Sequence, residues 1–176
     1  MNIQMISNVL LEIFYIIVGL LMLNTAIDTL KDQEHKTRIG TAIFWTILSI
    51  IFIAGGAIPP VVVGALLLVI GVLTASKQVN IGNLKMPNVD FAEIQAEKLK
   101  NKIFLPSIVI AVGSLVIAQF TSLSGTVAIG IASVAAVITT FLVLKAKPKH
   151  LVEDSNRMVQ SVGSTSILPQ LLAALG

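Results

Sequence analysis

A chain of 176 residues has the length of one domain, but 55% of it is hydrophobic and only 12% is charged, against roughly 25% charged in a soluble domain. With 12 basic and 9 acidic side chains it cannot clothe a water-facing surface, and a mean hydropathy of +0.92 excludes disorder and coiled coil. The apolar runs are continuous rather than alternating, which argues against barrel strands. An all-α, polytopic membrane protein remains, its backbone polar groups satisfied within its own helices.

The first apolar stretch predicts a span over residues 9–30. It has no basic leader, is too long for a signal peptide and lacks a small-residue cleavage site, so it is expected to stay in the mature protein. From Ile39 to Ser76, and again from Ile103 to Leu144, no side chain is charged. Each stretch is about twice the ~20 residues of one crossing and so predicts a hairpin of two. The first divides at Gly55-Gly56-Ala57-Ile58-Pro59-Pro60, where the prolines break the helix. The second divides at the polar turn 119–126. The five spans predicted are 9–30, 39–57, 60–76, 103–120 and 126–144.

Orientation follows from lysine and arginine. All 12 basic side chains lie at 31–38, 77–102 or 145–157, and the N-terminus and the turns near 57 and 122 carry none. Five spans place all three basic stretches on one side, which the positive-inside rule makes cytoplasmic, with the N-terminus outside. The charges flank spans and meet lipid headgroups, which explains a pI of 9.3 without nucleic acid, for which no interleaved aromatics are present. There is no cysteine, so disulfides and thiolate chemistry are excluded.

Between spans three and four, Asp90 and Glu93 form a capping box that predicts an interfacial helix over 90–102. After span five comes a moderately polar stretch, then Ser161-Val162-Gly163-Ser164-Thr165-Ser166 and the apolar run 167–176. Ten helical residues cover only ~15 Å, half a bilayer. The tail 161–176 is therefore read as a re-entrant segment or the start of a sixth helix, with freed amides and hydroxyls facing a cavity and a helix N-terminus favouring an anion.

No nucleotide-binding, nucleophile-elbow or zinc-protease motif occurs, and no metal site or catalytic residue is assigned. His35 and His150 lie in loops beside lysines and are expected to be solvated. The acids in or beside span one, Glu12 and Asp28, are ~24 Å apart along the helix and read as anchors at its two ends. Asn24 and Thr25 lie deeper and predict a hydrogen bond to another helix, because an unpaired amide in hydrocarbon is costly. Tyr15 and Trp45 read as belt or packing aromatics. In span five Ala128, Ala132, Ala136 and Thr140 recur every fourth residue, the spacing that lets helices approach closely. Gly64 and Gly71 in span three suggest a second tight contact.

The stretches 13–32, 38–73 and 157–176, above all Arg38-Ile39-Gly40-Thr41-Ala42-Ile43-Phe44-Trp45 with its following Ile58-Pro59-Pro60, and Ile167-Leu168-Pro169-Gln170-Leu171-Leu172-Ala173-Ala174-Leu175-Gly176, resemble the N-terminal half of a bacterial integral-membrane family. That family was formerly of unknown function and has been proposed as one subunit of a two-component 5-oxoproline (pyroglutamate) transporter. The resemblance implies a chain in the bacterial cytoplasmic membrane that pairs with a second, smaller membrane subunit. Its substrate would be a small organic anion, with no cofactor beyond a coupling cation, proton or sodium. Hydroxyl- and glycine-rich hairpin tips bind the anion in such permeases, which makes Ser161, Gly163, Ser164, Thr165 and Ser166 the candidate substrate contacts. Family members are longer, so the chain is expected to be an incomplete N-terminal half or a split subunit. The competing expectations are a non-transporting scaffold for a partner membrane protein and, with less support, an intramembrane enzyme. The enzyme would need paired acids or histidines inside spans, and spans two to five hold none.

The topology is directly testable in this cysteine-free chain. Single cysteines at Lys36 and Ser122 should label with an impermeant thiol reagent from opposite sides of the membrane. Labelling of both from one side contradicts the five-span arrangement.

Overall fold

A computed structural model describes residues 3–80, 97, 99–144 and 148–162, the side chains of 144 and 148–153 excepted. Among the described residues the chain is all-helical. It runs α1 (Ile3–Lys31), α2 (Arg38–Ala54), α3 (Pro60–Ala75), a 3-10 turn (Lys100–Phe104) leading into α4 (Leu105–Phe120), α5 (Gly125–Leu144) and α6 (Pro148–Val162). Three helical stretches, Ile3–Lys31, Lys100–Phe120 and Gly125–Val143, are long and apolar enough to cross a membrane, while α2 and α3 are apolar but shorter. A 17-residue helix covers ~25 Å, slightly less than a hydrocarbon core of ~30 Å.

The breaks between helices have local causes. Gly55 stays right-handed and its N–H still donates to Ile51 O, so the turn is made at Pro59, which is extended, and Pro60 starts α3 at its first position. After α4, Thr121 turns extended. Ser124 then accepts from the Val127 N–H at 3.4 Å, capping the first turn of α5. At the end of α3 the Lys77 N–H donates to Thr74 O at 3.0 Å and the Gln78 N–H to Leu73 O at 3.0 Å. That paired pattern needs a left-handed residue, and here Lys77 supplies it with φ 55° rather than a glycine.

The chain divides into two compact units, one drawn from Met1–Phe14 and Met86–Leu151, the other from Tyr15–Lys85 and Val152–Gly176. In the first, α4 and α5 form an antiparallel hairpin. Ala128, Ala132 and Ala136 are buried, and half-buried Thr140 returns its hydroxyl to Ala136 O at 2.8 Å. A Cβ on Gly113 of α4 would stand 3.4 Å from Ala132, and one on Gly130 would stand 2.3 Å from the Phe14 ring. Side chains this small are what let the backbones approach. Ser7 and Ser124 meet hydroxyl to hydroxyl at 3.5 Å.

In the second unit Met22, Ala26, Phe44, Trp45, Ile47, Leu48 and Ile70 make a common core. Trp45 is part of that core, edge-on to Phe44 at 5.1 Å, while Tyr15 is edge-on to Phe52 at 5.9 Å and remains half exposed. Helices α1 and α2 touch through Gly19: Ser49 Oγ donates to its carbonyl at 2.7 Å, and a Cβ there would come within 2.5 Å of Ile53. Of Gly64 and Gly71, where close approaches are expected, only the second is buried. Gly71 is buried with Ile70 and Thr74 in the last turns of α3, whereas nothing lies within 4 Å of a Cβ on Gly64. Earlier in α3, Leu66 is partly buried and packs against the same core.

Ala132→Leu should destabilise the first unit by ~1–3 kcal/mol, the usual range for overpacking, because Ala132 is 1% exposed. Ile129→Leu, at a position 54% exposed, should be near neutral. The two variants are compared by thermal unfolding in detergent, and equal losses would contradict the packing of α5 on α4.

Candidate functional site

A cluster of four polar side chains lies within the second unit, three on α1 and one on α6. Asn24, Thr25 and Asp28 share one face of α1, being spaced by three and four residues. The residue that joins them, Asn156, sits in the middle of α6. The Asn24 amide donates to Asn156 Oδ1 at 2.8 Å. The Thr25 hydroxyl reaches the same oxygen at 3.2 Å and Leu21 O at 3.0 Å. The Asn156 amide in turn donates to Asp28 Oδ2. The donors therefore run in one direction, from Asn24 through Asn156 to the carboxylate, each amide polarised toward the charge at the end. Burial is graded along the cluster. Thr25 and Asn156 are 0% and 6% exposed, Asn24 is half-buried, and Asp28 is exposed.

Of these, Asn24, Thr25 and Asp28 stand out in the sequence as polar residues of an apolar helix. Asn156 does not, because the stretch around it reads as generally polar. The missed signal is periodicity. Val152, Val159 and the intervening Asn156 fall on one side of a helix. Pro148 suits the first turn, and Asp154 and Arg157, on the polar side, pair at i, i+3 with 3.1 Å between them. Val159 packs against the core of the second unit. That contact carries Asn156 to α1.

A second polar cluster ties the connection after α3 to the start of α2. The Asn80 N–H donates to Thr41 Oγ1 at 3.2 Å and its amide to Thr37 Oγ1 at 3.1 Å. The Thr41 hydroxyl faces the carbonyls of Gln78 and Asn80 at 3.2 and 3.4 Å. His35 belongs to this cluster and is not the solvated loop residue that its neighbours suggest: it is 7% exposed. Its Nδ1 accepts from the Thr37 N–H at 3.2 Å, so its Nε2 carries the hydrogen that meets Asn80 O at 3.0 Å. The imidazole here is a spacer that satisfies two backbone groups.

The other expected residues are placed as follows. Glu12 is exposed on α1. Ser161 lies in the last turn of α6, and Gly163, Ser164, Thr165 and Ser166 are outside the described residues, as are the apolar run after them and most of the helix expected over 90–102. No group of three or more histidines and acids able to hold a metal occurs among the described residues. The Thr74 hydroxyl is buried with no hydrogen-bond partner among them.

Replacing Asn156 by Leu keeps its bulk but leaves Asn24, Thr25 and Asp28 without their shared partner. A loss of ~1–3 kcal/mol is expected for each group left unpaired in a buried site. Asn24→Leu in the same background should then cost less than it does alone, as the coupling of a double-mutant cycle. Strict additivity in thermal unfolding would contradict the network.

A family model described as "Protein of unknown function (DUF979)" matches residues 12–176. No curated protein matches the chain, and no solved structure does.

Proposed function

The chain belongs to that family, and from this premise we propose that it is a subunit of a secondary transporter for a small organic anion such as 5-oxoproline. It would sit in the bacterial cytoplasmic membrane, cross it five times with the N-terminus outside, and act with a second, smaller membrane subunit. The observation that carries the proposal is the tail. A hydroxyl- and glycine-rich stretch, Ser161 to Ser166, precedes an apolar run, and it opens in the last turn of a helix held to α1 by a buried amide. Non-helical backbone at membrane depth survives only against protein or a hydrated cavity. A substrate carboxylate is a natural partner for the amides and hydroxyls of such a stretch.

In this arrangement the hairpin of α4 and α5 is scaffold, and the element beginning at Ser161 binds the anion. Uptake would be driven by a coupling cation, proton or sodium, and the chain itself carries no catalytic role. The scaffold reading remains the alternative, in which the polar tail is buried against another subunit.

Proteoliposomes holding this chain and the smaller subunit should accumulate radiolabelled 5-oxoproline, and neither subunit alone should suffice. In the active complex a cysteine at Ser164 or Thr165 should react with a small hydrophilic thiol reagent and be protected by substrate. One at Leu171 or Leu172 should react much more slowly. Active transport with Ser164 and Thr165 inert would remove the binding role from the tail. Loss of the partner's stability without this chain, and no uptake with it, would support the scaffold.

A further inference from the structure

Three rows of side chains on α6 meet three different surroundings. Asn156 and Val159, three residues apart, face α1 and the core of the second unit. Asp154, Arg157 and Gln160, again three apart, form a polar row in which Asp154 and Arg157 pair at 3.1 Å. Met158 and Val162, four apart and so on one side of the helix, make the remaining row and are 57% and 54% exposed. Two exposed apolar side chains are ordinary on any protein surface. Their level along α1 is what gives these two a meaning.

Asn156 fixes that level, because its bonds go to Asn24, Thr25 and Asp28. Over the same turns α1 turns Leu23, Ile27 and Leu30 outward, and Asp28, Lys31 and Asp32 are the first charged residues after Glu12. Outward apolar side chains giving way to charge mark the border between hydrocarbon and headgroups on a helix that crosses a membrane. Helix α6 joins α1 at that border, and a helix with separate polar and apolar sides at such a depth is suited to lie in the interface. The sequence adds the sign of the headgroups. Lys145, Lys147 and Lys149 lead into α6 and Arg157 lies within it, against two acids, Glu153 and Asp154. An excess of basic residues next to a span favours anionic lipid.

We propose that α6 is an interfacial helix whose Met158 and Val162 enter the bilayer and whose basic approach selects anionic phospholipid. The Asn156 contact then supports the helix from the side of α1, and the lipid supports it along the row that α1 leaves exposed. The inference rests on α1 crossing the membrane and is independent of anion transport.

The chain has no cysteine, so a fluorophore can be placed at Met158→Cys, Val162→Cys or Asp154→Cys alone. Each full chain is reconstituted in phosphatidylcholine nanodiscs doped with spin-labelled phosphatidylglycerol or, at the same level, spin-labelled phosphatidylcholine. Lipid labelled high on its acyl chain should quench the probes at Met158 and Val162, which aqueous iodide should barely reach, and at Asp154 the order should reverse. Either of the first two probes suffices should the other disturb the fold, which thermal unfolding would reveal. At Met158 and Val162 phosphatidylglycerol should quench severalfold more than phosphatidylcholine, since each lysine near such a surface favours anionic lipid about fivefold. Lys145→Gln, Lys147→Gln and Lys149→Gln together should remove that preference and keep the contact with lipid. Iodide quenching at Met158 and Val162 equal to that at Asp154, protection there from both reagents as beneath a second protein, or equal quenching by the two lipids overturns the proposal.

Discussion

In surroundings without water a helix must satisfy its own backbone, so only side chains and exceptional close approaches are left to hold one helix to another. The described residues follow that rule. Their hydroxyls mostly return to the carbonyl four residues back on their own helix, as Thr29 does to Thr25 at 2.8 Å and Thr46 to Ala42 at 2.8 Å. The few that cross to another helix are correspondingly informative. Ser49 reaches Gly19, where a missing Cβ brings the two backbones together, and Asn24 and Thr25 reach Asn156.

The same constraint separates the helices by role. In the hairpin of α4 and α5 the association rests on alanine and glycine, with dispersion between closely spaced backbones as the main attraction. In the second unit a mixed core of Phe44, Trp45, Ile70 and their neighbours is supplemented by directional hydrogen bonds at its polar end. Directional bonds can be exchanged for others of similar strength, whereas a packed alanine seam has no alternative partner. The contact at Asn156 is therefore easier to exchange than the seam at Ala132.

Membership of a family of unknown function gives the chain relatives but no chemistry. The transport reading draws on a run of hydroxyls and glycine that begins in the last turn of α6. That helix is the element with polar and apolar faces most clearly separated.

Composition and the spacing of charge by themselves determined that the described residues are helical and where the apolar helices lie, though not the polar helix α6. Apolar runs broken by Pro59-Pro60 and by the polar turn near Ser122 can form little else; the helix ends at Ala54, Pro60 and Phe120 sit close to those breaks, and those at Lys31 and Leu144 border basic stretches. Sequence also marked Asn24 and Thr25 as needing a partner, since an amide in an apolar helix must find one. It could not say which partner, nor that His35 is buried between Thr37 and Asn80, nor that Gly64 faces open space while Gly71 is covered. Those are facts about which faces meet. Local pattern specifies a helix through interactions a few residues apart, but the meeting of Asn24 with Asn156, 132 residues away along the chain, is settled only by how whole helices pack. Tertiary structure therefore decided the site, because it alone determines which unsatisfied polar groups end within hydrogen-bonding distance of one another.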